Sequence, residues 1–165
     1  MKQATTIPAR RLFQLDFALL REHTFFMLDL QGASRIITRH IPDVQAVYLY
    51  GSAADSAVPL DAAGDIDIAL LLPPGSPLDR AQLMLSELRA ELEDELGHPV
   101  DLADLRGAAT TFAIEVIHTG QRVLTCNHYA ADTFEMLTLS AYQKLNYQRA
   151  GILADILATG RVVQL

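Results

Sequence analysis

Two short stretches decide the reading of this chain: Val47-Tyr48-Leu49-Tyr50-Gly51-Ser52, and then Gly64-Asp65-Ile66-Asp67-Ile68. The first is a run of Val, Tyr and Leu that closes on Gly-Ser, which reads as a strand and its turn. The second opens a strand, Asp65 to Leu72, whose second half is nearly continuous apolar sequence, the pattern of a strand buried on both faces. Side chains alternate faces along a strand. Asp65 and Asp67 therefore project from one face, and Ile66 and Ile68 enter the core from the other. Two aspartates in this spacing are often only a solvated strand end, but a strand this apolar is not a solvated one.

A third carboxylate, Asp101, stands in His98-Pro99-Val100-Asp101-Leu102, again inside a predicted strand. If that strand lies beside the Asp65–Asp67 strand, three carboxylates meet with no evident Lys or Arg among them. Unpaired, they repel and resist ionising. A hard divalent cation relieves this, and Mg²⁺ prefers such oxygen ligands while keeping positions open for water and phosphate. Gly51 allows backbone amides to approach a phosphate, and the Ser52 hydroxyl adds a donor. Asp65, Asp67 and Asp101 are thus the candidate metal and catalytic residues, and Gly51 and Ser52 the candidate phosphate turn.

Working outward, the chain reads as one α/β (α+β) domain over 1–165, with a small mixed sheet of about four strands flanked by helices. Residues 1–9 read as a tail and 10–43 as an N-terminal helix or helix pair. A core follows over 44–126, and a long C-terminal helix over 127–165. In the first helical segment Leu12, Leu15, Leu19, Phe26 and Leu30 recur at helical intervals. Gly32 is a candidate interruption and Pro42 a stop. Pro73-Pro74-Gly75-Ser76-Pro77 is a turn. A helix is predicted from there to about Glu95, with Leu85, Leu88, Leu92 and Leu96 on one face and Gly97 as its C-cap. A strand over Pro99 to Leu105, a short helix over Thr110 to His118 and a strand over Arg122 to Cys126 complete the core. Phe134, Leu137, Ala141, Leu145, Ile152 and Ile156 mark the last helix.

Half of the 165 residues are apolar, which excludes a disordered chain. The formal charge of −7 argues against a free-standing nucleic-acid binder, and no direct nucleic-acid partner is expected. A basic protein partner, or a nucleotide carried with its cation, suits the charge better. The lone Cys126 excludes an intrachain disulfide and reads as a small core residue. With neither a signal-peptide pattern at Met1 to Arg11 nor a run long enough to span a bilayer, a cytoplasmic protein without membrane contact is expected.

The five histidines lack zinc-ligand spacing. His98 is a solvated strand entry rather than a site residue, and Tyr48 and Tyr50 are expected to pack on the sheet. The sequence has no Gly-rich P-loop or dinucleotide fingerprint. Arg35-x-x-x-x-His40 has the form of a ribonuclease pair, but its surroundings do not support that role. The Phe-rich first helix packs in the core by default, or leaves a stripe for a partner or a second copy, so a homo-oligomer stays open.

The Gly-Ser turn, the Asp-x-Asp strand and the later strand aspartate resemble the nucleotidyltransferase superfamily. The resemblance runs over roughly residues 44 to 160 and is strongest to the minimal nucleotidyltransferases of MNT type. It implies a nucleotidyltransferase fold. It makes Gly51 and Ser52 phosphate-loop residues, and Asp65 and Asp67 metal ligands. Asp101 completes the site and helps activate the attacking hydroxyl. It further implies Mg²⁺, or Mn²⁺ in its place, with ATP as substrate and AMP passed to a hydroxyl as pyrophosphate leaves. MNT-type proteins act as antitoxins beside a HEPN-domain ribonuclease toxin, which the family neutralises by adenylylating a tyrosine. Two departures stand out. The loop Ala53 to Gly64 is longer than the family's usual one, and Ala53-Ala54-Asp55 replaces the arginine common after Gly-Ser. Arg106, Lys144 and Arg149 are the candidate substitutes. A non-catalytic antitoxin that binds and masks its partner is one alternative. Transfer to a small molecule such as an aminoglycoside is another, for which the chain after residue 128 is short.

Overall fold

A computed structural model describes residues 30–54 and 64–159. Most of the predicted N-terminal helical segment and the loop around Asp55 lie outside the described residues. Residues 30–40 form α1, which runs through Gly32 without interruption and stops before Pro42. Then come β1 (Ala46–Tyr50), a 3₁₀ turn (Gly51–Ala54), β2 (Ile66–Leu71), α2 (Arg80–Met84), α3 (Glu87–Leu96), β3 (Val100–Asp104), α4 (Thr110–Thr119), β4 (Gln121–Thr125) and α5 (His128–Thr159).

The four strands form one mixed sheet in the order β3-β2-β1-β4. β1 is antiparallel to both β2 and β4, and β2 is parallel to β3. The parallel step needs a crossover, which α2 and α3 supply. The sheet parts two apolar layers. Ile66, Ile68, Leu70 and Leu72 pack with Ile37 of α1 and with Leu83, Leu88, Leu92 and Leu96 of α2 and α3. Ala69 and Leu71 face the other way, against Ala113 and Val116 of α4 and Ala131 of α5. β2 is thus covered on both sides, as its apolar run requires, and each such Leu or Ile contributes about 1.5–3 kcal/mol when fully buried.

The single helix expected before residue 95 is two. Asp79 caps α2 by accepting from the Gln82 amide at 2.8 Å, while Gln82 Oε1 accepts from the Asp79 amide at 2.9 Å. This capping box starts the helix firmly. It ends one turn later, where the Ser86 hydroxyl bonds the Leu83 carbonyl at 2.6 Å. The break swings Leu85 out to 88% exposure, while Leu83 takes the buried place. Leu85→Gln is therefore expected to change unfolding free energy by less than about 0.5 kcal/mol in a urea titration. Gly97, with φ of 69°, ends α3 in the left-handed conformation expected of its C-cap.

Asn127 starts α5, its side chain accepting from the Ala130 amide at 3.0 Å. The inward stripe of α5 is Ala131, Phe134, Glu135 and Thr138. Leu137, expected in that stripe, is 58% exposed. Among the described residues no helix is long and apolar enough to cross a membrane. Arg39 and His40 both face Glu91 on α3, so His40 belongs to a helix contact, and the Arg35/His40 pairing has no separate site.

Candidate active site

The sheet register assembles the predicted residues at one end of the strands. Tyr50 pairs with Asp67 across the β1–β2 ladder, and Asp67 pairs with Asp101 across β2–β3. Asp67 and Asp101 are therefore direct lateral neighbours on the α4 and α5 side of the sheet, where Ala69 and Ala103 continue the same face. Asp65 lies in the bend just before β2 and is exposed.

Gly51 has φ of 67°, and a Cβ placed on it would overlap Asp67 Oδ2 and lie 3.0 Å from its Cγ. The turn backbone thus rests directly on the Asp67 carboxylate, a closeness and a conformation that glycine alone permits without strain. Ser52 follows on the exposed side of the turn, while Ala53 and Ala54 are buried in the core beneath it. Gln121 of β4 pins this turn by donating to the Ala54 carbonyl at 2.8 Å.

The charges in this corner are crowded. The Asp67 carboxyl titrates above the usual carboxylate range, first through burial and then through the like charges of Asp65 and Asp101, with Arg80 opposing. The same surroundings push the Tyr50 phenol up to about 12, again by burial first and then by Asp67 and Asp101. The Tyr50 ring is held edge-on to Phe112 of α4 at 5.4 Å.

Arg80 was not legible in the sequence. It donates to Asp101 Oδ2 at 2.7 Å from the first turn of α2. The other oxygen, Asp101 Oδ1, is buried without a hydrogen-bond partner. The reading that no Lys or Arg accompanies the carboxylates is corrected accordingly: proline-turn geometry brings Arg80 back over β3, and nothing local at residue 80 reports a partner 21 positions later. Beside Arg80 opens a cleft of about 530 Å³, lined also by Ala103, Gly107 and Phe112.

The other cations considered for this site are placed elsewhere. Arg106 donates to the Leu72 carbonyl and to Gln45 Oε1, both at 2.6 Å, and lies over the Phe134 ring. These partners sit at the opposite end of the strands from Asp67. Lys144 and Arg149 are exposed on the later turns of α5.

As the side chains stand, no group of three or more His, Cys, Asp or Glu among the described residues converges closely enough to hold a metal ion. The donor set nevertheless fits a hard cation. Its candidate ligands are carboxylate oxygens, Asp67 carries like-charge repulsion that Arg80 only partly offsets, and Asp101 Oδ1 is a buried acceptor with nothing to accept.

A glycine turn resting on the first of two laterally paired strand aspartates is the arrangement expected of a domain that transfers nucleotidyl groups. A family model described as polymerase beta, nucleotidyltransferase matches residues 33–129, and the chain belongs to that family. It is 32% identical over 124 residues to the protein adenylyltransferase MntA of Shewanella oneidensis, covering 75% of this chain and 84% of that one. Among solved structures it matches a toxin–antitoxin complex with AMP-PNP, with a TM-score of 0.63 and 30% identity over 78% of this chain and 98% of that one. It also matches the complex of tri-AMPylated Shewanella oneidensis HEPN toxin with MNT antitoxin. There the TM-score is 0.61 and the identity 30%, over 79% of this chain and 97% of that one.

Proposed function

We propose that this protein is an antitoxin that transfers AMP from ATP to a hydroxyl on a HEPN-domain toxin, with Mg²⁺ or Mn²⁺ held by Asp65, Asp67 and Asp101. The observation that carries the reading is the lateral pair Asp67–Asp101 with the Gly51 turn seated on it. The AMP-PNP and AMPylated complexes of its relatives support the choice of nucleotide and of partner.

The bound cation would neutralise the polyphosphate and favour in-line displacement at the α-phosphorus. The chain's own residues do the rest. Gly51 and Ser52 present amides and a hydroxyl to the phosphates. The hydroxyl proton of the acceptor passes to Asp101, which the sheet register sets beside Asp67. The acceptor oxygen bonds to the α-phosphorus while the bond to the β-phosphate oxygen breaks, and pyrophosphate leaves. The cleft beside Arg80 is within the size range of small-molecule sites and suits the nucleoside.

A second reading, a masking antitoxin without chemistry, draws on the Arg80–Asp101 pair, which occupies one oxygen of a proposed ligand. One experiment separates the two. The chain is incubated with a HEPN-domain toxin, α-labelled ATP and Mg²⁺ or Mn²⁺. Label on the toxin is the expected result. Full neutralisation without label under either metal would discard the transfer reading in favour of masking.

A further inference from the structure

We infer that Arg80 is the residue that takes the phosphate charge of the nucleotide, standing in for the cation that the Gly51 turn does not carry. The inference rests on the nucleotidyltransferase reading above and names the residue on which its substrate affinity depends.

Asp65, Asp67 and Asp101 bring up to three negative charges to one corner, and a nucleoside triphosphate brings more. A single divalent cation cannot offset both. A fixed positive group facing the phosphates would offset the remainder. The turn does not provide one, because the residues following Ser52 are the buried Ala53 and Ala54.

Among the described arginines near the sheet, Arg106 is spent on Leu72, Gln45 and Phe134, Arg122 on Asp132 and Glu135, and Arg89 on the Val100 carbonyl and Glu93. Arg80 alone among these is set against the carboxylates, and its charge is felt at both Asp67 and Tyr50. It touches Asp101 through one terminal nitrogen. Its side chain is 63% exposed, so the remaining N–H groups of the fork are accessible, and Arg80 also lines the cleft. A guanidinium offers five donors in a plane, enough to keep the carboxylate and bind a phosphate together. The Asp79–Gln82 capping box fixes the backbone from which Arg80 springs.

The test compares wild type, Arg80→Gln and Arg80→Lys. ATP affinity is measured by calorimetry at saturating Mg²⁺, and Mn²⁺ affinity without nucleotide by electron paramagnetic resonance. Loss of one charge-assisted phosphate contact predicts ATP binding weaker by about 10- to 100-fold in R80Q and by less in R80K. Mn²⁺ binding should be unchanged or tighter, because a nearby positive charge has gone. ATP affinity in R80Q equal to wild type would overturn the inference. So would a loss of Mn²⁺ affinity with ATP binding intact, which would mark Arg80 as a support for Asp101 only. The toxin-labelling assay on the same proteins keeps the two claims apart. Label with normal R80Q affinity for ATP removes this inference alone. A wild-type protein that binds no ATP removes both.

Discussion

Gly51→Ala is expected to lower AMP transfer to the toxin by more than about 100-fold while leaving the toxin complex intact. Two effects combine at this position. The left-handed backbone, with φ of 67°, becomes unfavourable by about 1–2 kcal/mol for any residue with a Cβ. The added methyl also overlaps Asp67 Oδ2, and the Asp67 carboxylate or the turn must move to admit it. A shift of about 1 Å in a reacting geometry loses on the order of 100-fold in rate. Strain and overlap can be told apart with Gly75→Ala. Gly75 has a similar φ of 78° but nothing within 4 Å of its Cβ position. That variant should lose comparable stability in thermal unfolding and keep its transfer rate. If G51A transfers AMP within a few-fold of wild type, the turn does not position Asp67 as claimed.

The distinction between Gly51 and Gly75 also marks how far the sequence could be read. Both lie in evident turns, yet only the register shows that one of them sits on a carboxylate. The alternation of Asp65, Ile66, Asp67 and Ile68 was enough to assign Asp67 to one face and the isoleucines to the core, because the period of a strand is set by its backbone. The apolar run through Leu72 announced a strand covered on both sides, and the two layers around β2 match it. The position of Asp101 beside Asp67 depended on a parallel pairing that the sequence only allowed.

What escaped were matters decided across distance. Leu85 keeps helical spacing with Leu88 and Leu92, but Ser86 ends α2 first and the spacing loses its meaning. Leu137 fits the stripe of α5 by periodicity, yet the face that packs carries Glu135, which accepts a 2.8 Å hydrogen bond from Tyr48, and Leu137 stays exposed. The Tyr48 phenol is correspondingly hard to ionise, by burial first and then by that carboxylate. Arg80 escaped for the same reason. A side chain on the first turn of a helix carries no mark of the strand it returns to.

Asp67→Asn is expected to abolish labelling of the toxin, a loss beyond the 10- to 100-fold typical of residues one shell out from a metal. It is also expected to make the metal-free protein more stable. The sign follows from the raised titration of the Asp67 carboxyl. In the folded protein it holds a proton at a pH where the unfolded chain has released it. Between the two pKa values the native state binds more protons, so stability falls as pH rises through that window. Above it the ionised carboxylate remains destabilising at a constant level, and this includes neutral pH. Asparagine has the same shape and no charge, so D67N in EDTA should melt above wild type at neutral pH. The gap should narrow as acid protonates the wild-type residue. Mg²⁺ should reverse the order. A cation held by Asp67 stabilises wild type by RT ln(1 + [L]/Kd), about 2.7 kcal/mol at a hundred times Kd, and the variant forgoes it. Melting curves with EDTA and with Mg²⁺ that cross between the two proteins would place the cation at Asp67. A D67N protein that melts lower in EDTA, or gains as much from Mg²⁺ as wild type, would remove Asp67 from the metal site. Asp67 is held against the repulsion of Asp65 and Asp101 by the sheet register and the Gly51 turn, and that repulsion is what the proposed cation would offset.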